Sequence, residues 1–167
     1  MIRVLFVCMG NICRSPTAQG VFESLLAEAG LAHAIEADSA GTHGYHVGKP
    51  PDARATEAAA QRGIDLSGLR ARRVVAADFH AFDLVLAMDR DNFRDLARIA
   101  PEGRADRLRL FLDYAPETGA LEVPDPYYGG ADGFERVLDL IEAASRGLLA
   151  ELRAAVGGPP APPGPQS

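Results

Sequence analysis

Ile2-Arg3-Val4-Leu5-Phe6-Val7-Cys8-Met9-Gly10-Asn11-Ile12-Cys13-Arg14-Ser15-Pro16 is the stretch from which the fold can be read. Its first seven residues form a continuous apolar and β-branched run, the pattern of a parallel strand buried on both faces. Gly10-Asn11 interrupts that run, and from Ser15 the periodicity changes. Val21, Phe22, Leu25 and Leu26 recur at helical spacing up to a stop at Gly30, with Pro16 where a first helical turn tolerates proline. Strand, tight turn and helix in that order open a βαβ unit.

Outward from there, the alternation continues. A short strand is expected at Ile35 to Ser39, a Gly- and His-containing loop from Gly41 to Pro51, and an Ala-rich helix to Gln61 stopped by Gly63. Phe82 to Ala87 has the pattern of a buried strand, Asp91 to Ile99 of a helix, and Leu108 to Leu112 of a further strand. Asp113 to Gly133 is rich in proline and glycine and is expected at the surface. From Phe134 to Val156, apolar residues trace one face of a long final helix. The expected fold is α/β: a single doubly wound domain over residues 1–156, with a four-stranded parallel sheet flanked by helices on both faces. Residues 157–167 form a Gly/Pro-rich tail without periodicity, expected to be disordered.

Composition narrows the function classes. A chain of 167 residues with 47% apolar and 24% charged residues matches one globular domain. Net charge is −6 and Lys49 is the only lysine, so no nucleic-acid surface is expected. No apolar run is long enough to span a membrane, and Met1-Ile2-Arg3 enters a strand with no signal-peptide layout, so no membrane partner and a cytoplasmic location are expected. Both cysteines, Cys8 and Cys13, fall in the opening motif, which points to chemistry rather than a disulfide scaffold.

Cys8 ends a buried strand, and Arg14 follows six positions later at the start of a helix. Ligands of open α/β sheets bind outside the carboxyl ends of the strands. The main-chain N–H groups of Met9 to Arg14 can curl around an anion there, completed by the helix N-terminus. Gly10 and Asn11 accept the positive φ that such a curl requires. Arg14 supplies a planar fork for two phosphate oxygens. The same donors favour the Cys8 thiolate, to which Ser15 can donate its hydroxyl.

Cys8-Met9-Gly10-Asn11-Ile12-Cys13-Arg14-Ser15-Pro16 resembles the phosphate loop of the low-molecular-weight protein tyrosine phosphatases, and the likeness covers nearly the whole chain. Asp38-Ser39-Ala40-Gly41-Thr42, Met88-Asp89-Arg90 and Val123-Pro124-Asp125-Pro126-Tyr127-Tyr128 resemble further segments of that family, the last its general-acid loop. The resemblance implies a cysteinyl-phosphate mechanism with Cys8 as nucleophile, Arg14 as phosphate clamp, Asp125 as general acid and base, and neither metal nor cofactor. It implies a phosphotyrosine-containing protein as substrate and inorganic phosphate as product. Asn11, Ser15 and Ser39 would brace the loop, and Tyr45, Asp89, Tyr127 and Tyr128 would line the substrate site. Leu69 stands where the family commonly has a bracing histidine, and Tyr45 where a tryptophan is frequent.

Simpler readings compete at several positions. Asp89 equally suits an N-cap for the helix that follows it. Cys13 is a resolving thiol for Cys8 or an inert core residue. Arg70, Arg72 and Arg73 fit a solvated face. Asp125-Pro126 alone is a common turn dipeptide. A protein-arginine phosphatase on the same scaffold and a non-catalytic oxyanion-binding module are the alternative functions; Ile12 favours an aryl phosphate over the former, and Asp125 argues against the latter.

Overall fold

The computed structural model describes residues 1–126 and 131–157, with side chains in the last stretch from residue 133. Tyr127 and Tyr128 and the tail from residue 158 therefore lie outside the described residues. The elements follow in the order β1 (Ile2–Cys8), α1 (Arg14–Ala29), β2 (Ile35–Gly41), α2 (Ala53–Gln61), α3 (Asp78–Ala81), β3 (Leu84–Ala87), α4 (Arg90–Ile99), β4 (Leu108–Leu110) and α5 (Ala131–Ala155). The four strands form one parallel sheet in the order β2-β1-β3-β4.

Because side chains alternate along a strand, β1 feeds two cores at once. Val4, Phe6 and Cys8 pack with α1 and α5 on one face, while Leu5 and Val7 pack with Phe79, Phe82 and Leu96 on the other. Phe6 is fully buried between Phe22 and Phe111, meeting both edge-on at ring-centroid distances of 5.7 and 5.1 Å. Burying a phenylalanine of this kind stabilises by about 2–3 kcal/mol. Helix α1 ends where Gly30 turns left-handed at φ 70° and donates its N–H back to Leu26 and Ala27.

Several boundaries differ from expectation. The strand expected from Phe82 begins at Leu84, because Phe82 closes the short helix α3 and buries its ring against the sheet. The strand expected to run to Leu112 stops at Leu110; Phe111 to Tyr114 instead forms a 3-10 turn that is packed under α5. An apolar run reports burial and not conformation. Nor is the whole of the turn-rich segment at the surface: Ala115 and Val123 are fully buried, and the Val123 N–H donates to the Met88 carbonyl at 2.8 Å.

The reversal of strand order between β1 and β3 opens a crevice at the carboxyl end of the sheet. Cys8 closes β1 at that end, opposite Gly41 of β2, and Met88 and Asp89 follow the end of β3 there. The candidate site is built on this edge.

Candidate active site

After Cys8 the chain curls back over its own strand end. Asn11 takes a left-handed conformation at φ 57° and points its main-chain N–H at the Cys8 sulfur, 3.2 Å away. Gly10, expected to share that conformation, has no positive φ. Its missing side chain leaves room for the His46 ring, from which a Cβ there would lie 2.9 Å. Gly41 is tighter still: a Cβ on it would lie 2.8 Å from the Met9 carbonyl oxygen.

A buried chain of side-chain hydrogen bonds holds the curl. The Asn11 amide donates to Ser15 Oγ at 2.7 Å and to Ser39 Oγ at 3.0 Å, and its oxygen accepts the Arg72 main-chain N–H at 3.0 Å. With its oxygen already accepting from Asn11, Ser15 has its hydrogen available to Cys8 Sγ at 3.0 Å, in competition with the Ala40 carbonyl at 3.3 Å. Ser39 in turn donates to Gln19 Oε1 at 2.7 Å. The brace expected from Asn11, Ser15 and Ser39 is therefore present and has two further members, Gln19 and the main chain of Arg72. Leu69, in the histidine's place, is half-buried and takes no part in these bonds.

Arg72 also departs from the solvated face expected of it. Its guanidinium bridges Asp38 and the buried Asp78, so the residue whose N–H holds Asn11 is itself tied down. On the far side of the loop, the Asp52 N–H donates to the Ile12 carbonyl at 2.8 Å, which docks the start of α2 against it.

Arg14 is 3% exposed and held before any ligand arrives. Nη1 donates to Asp89 Oδ2 at 2.6 Å and to the Val123 carbonyl at 3.0 Å, and Nη2 lies 3.7 Å from Asp125 Oδ2. Burial works against its charge, but Cys8, Asp89 and Asp125 outweigh that and hold the guanidinium above its ordinary range. Asp89 takes the N-cap role, because its other oxygen accepts the Asn92 N–H and caps α4, while the first accepts from Arg14. Cys13 behaves oppositely. Burial, then the nearby charges of Asp52, Cys8 and Asp125, push its thiol up to about 12.

The resulting pocket, about 360 Å³, is lined by Cys8, Met9, Ile12, Tyr45, His46 and Asp125 among others. Tyr45 stands at its rim, 82% exposed, with the His43 ring tilted beside it at 5.5 Å. Of the substrate-lining residues expected from the sequence, Tyr45 lines this pocket, while Asp89 sits behind Arg14. Gln19, the Val123 carbonyl and the Arg72 N–H were not expected. For Gln19 a signal existed, since it lies one helical turn from Ser15 on the same face of α1.

Residues 3–157 match the sequence model of a family described as low molecular weight phosphotyrosine protein phosphatase. The chain belongs to this family. A low molecular weight protein-tyrosine-phosphatase of Streptomyces coelicolor is 50% identical over 159 residues, covering 93% of this chain and 96% of its own. The human low molecular weight phosphotyrosine protein phosphatase is 39% identical, covering 87% of this chain and 92% of its own. Among solved structures, a protein tyrosine phosphatase from Entamoeba histolytica with Hepes in its active site superposes with a TM-score of 0.90. It is 38% identical over 93% of this chain and 99% of its own. YfkJ from Bacillus subtilis superposes at 0.88 with 41% identity, over 93% and 96% of the two chains. The four-stranded parallel α/β fold is thus that of the low molecular weight phosphotyrosine phosphatases.

Proposed function

We propose that the protein hydrolyses phosphotyrosine in proteins through a cysteinyl-phosphate intermediate. The observation that carries this reading is the Cys8 sulfur, which receives the Asn11 N–H and faces the Ser15 hydroxyl in a pocket that also contains Arg14 and Asp125. Donors fixed around a sulfur stabilise its thiolate, the form that attacks phosphorus.

In the first step the thiolate forms a bond to phosphorus while the bond to the phenol oxygen breaks. Asp125 gives its proton to that oxygen. Loop N–H groups and the Arg14 guanidinium carry the charge on the three equatorial oxygens without having to reorganise. In the second step the Asp125 carboxylate takes a proton from water, the water oxygen bonds to phosphorus, and the sulfur leaves as thiolate with release of inorganic phosphate. The apolar Met9 and Ile12 and the ring of Tyr45 suit a flat aromatic leaving group. A structural relative, Wzb of Vibrio vulnificus, 31% identical with a TM-score of 0.78, is described in complex with benzylphosphonate, an aryl-bearing phosphate mimic.

The test is hydrolysis of para-nitrophenyl phosphate and of phosphotyrosine and phosphoarginine peptides in excess chelator. Cys8→Ser is expected to abolish turnover, and Asp125→Asn to lower it at least about tenfold, a conservative floor against the usual general-acid range of about 10²–10⁴. Full activity of Cys8→Ser overturns the covalent mechanism. Loss of activity to chelator points to a metal enzyme, and a preference for phosphoarginine peptides favours an arginine phosphatase on the same scaffold.

A further inference from the structure

A groove leaves the pocket across Met9, and its far end carries charge that the reaction does not use. The near part, about 730 Å³, shares Met9, Arg14 and Asp125 with the pocket and runs along α4 past Asn92 and Arg94 to Arg98. Beyond His43 it continues into a recess of about 230 Å³ lined by Thr42, Arg73, Val74, Asp95 and Arg98. Met9, 39% exposed, is the apolar step between pocket and groove.

The charges along this path are not evenly matched. In the near part Asp89 is engaged by Arg14, and Asp91 by Arg94. In the recess Arg98 meets Asp95 only at 3.6 Å with its side chain 77% exposed, and exposed Arg73 has no ion-pair partner among the described residues. Two guanidiniums against one carboxylate leave a local positive excess on a chain of net charge −6. Thr42 and Asn92, on the same path, each keep a buried side-chain oxygen with no hydrogen-bond partner among the described residues.

We propose that this groove receives the polypeptide flanking the phosphotyrosine, and that Arg73 and Arg98 select carboxylate side chains in it. The proposal rests on the phosphotyrosine reading above. A tyrosyl ring seated over Cys8 must let its main chain out over the rim, and the path over Met9 leads directly into the groove. An extended chain turns alternate side chains toward the floor. Next to the phosphotyrosine the carboxylates Asp89 and Asp91 are matched by Arg14 and Arg94, whereas the Arg73–Arg98 end, with its positive excess, favours an acidic residue several positions away. Charge matching of this type raises association rate and specificity more than it raises intrinsic affinity.

The experiment compares kcat/KM for phosphotyrosine peptides carrying either glutamate or serine at the third to fifth positions on each side. The wild-type protein is expected to favour glutamate on one side by about three- to tenfold, the range of one or two exposed ion pairs. That preference should shrink as salt rises from about 0.05 to 0.5 M. It should be lost in the Arg73→Ser, Arg98→Ser double variant and kept in Arg73→Lys, Arg98→Lys, with para-nitrophenyl phosphate turnover unchanged in both. Equal kcat/KM for acidic and neutral peptides in the wild type overturns the proposal, as does a preference that survives in the double serine variant. Failure of the wild type to hydrolyse para-nitrophenyl phosphate overturns the phosphatase reading itself, and is separable from either result.

Discussion

Asn11 combines a left-handed backbone with three side-chain hydrogen bonds, and two substitutions separate these contributions. Asn11→Gly keeps the backbone conformation and the main-chain N–H aimed at Cys8, but removes the bonds to Ser15, Ser39 and Arg72, of 2.7, 3.0 and 3.0 Å. At about 1 kcal/mol net for each bond, the loss is about 3 kcal/mol. Asn11→Ala loses the same bonds and keeps the native Cβ in the left-handed region, a cost of about 1–2 kcal/mol that Asn11→Gly removes. Glycine's larger unfolded-state entropy offsets about 0.5–1 kcal/mol of that difference, leaving alanine worse by about 1 kcal/mol. For a domain of this size about 3 kcal/mol corresponds to a fall in melting temperature of roughly 6–12 °C. Urea unfolding with a shared m value measures both losses, and turnover of para-nitrophenyl phosphate should fall further in the alanine variant. Equal destabilisation by the two substitutions would show that the backbone at position 11 stores no conformational preference. A glycine variant within about 0.5 kcal/mol of wild type, the range of inert surface changes, would refute the bracing role of the side chain.

Two other predictions concern ionisable groups. With its thiol pushed up to about 12 by burial and Asp52, Cys13 should stay protonated near neutral pH, so limited iodoacetamide should modify Cys8 alone. Fragmentation of the peptide that contains both cysteines checks this, and equal labelling of the two would contradict it. Tyr114 is likewise raised to about 12, first by burial and then by the neighbouring Glu151. Its folded value lies above its ordinary value of 10.0, so the stabilisation is complete below pH 10 and is lost as pH climbs toward 12. The melting-temperature gap between wild type and Tyr114→Phe should therefore narrow across that window, and a gap independent of pH would count against it.

The opening strand and helix were legible because apolar continuity from Ile2 to Cys8 and helical spacing from Val21 to Leu26 are direct records of burial. Helix α3 and the 3-10 turn at Phe111 to Tyr114 left no such record, since neither is long enough to establish a period. The same division holds within the site. Cys8, Asn11, Arg14 and Ser15 lie together in sequence, and their chemistry declares their use. Asp89 was open between pocket lining and N-cap, and it caps α4 while holding Arg14, a pairing no pattern of residue types could have settled. The carbonyl of Val123 and the N–H of Arg72 carry no side-chain signature at all. Main-chain groups become specific only when distant segments are brought together.

Gly41 lends that last point its sharpest form. With only 2.8 Å between its absent Cβ and the Met9 carbonyl, β2 serves as the mould against which the loop is cast. A single methyl group on that strand would push the casting out of shape, turning its donors away from the sulfur while the sequence from Cys8 to Arg14 stayed unchanged. A chain could then carry the full signature and yet have no working cradle, and a search restricted to the signature would be blind to the loss.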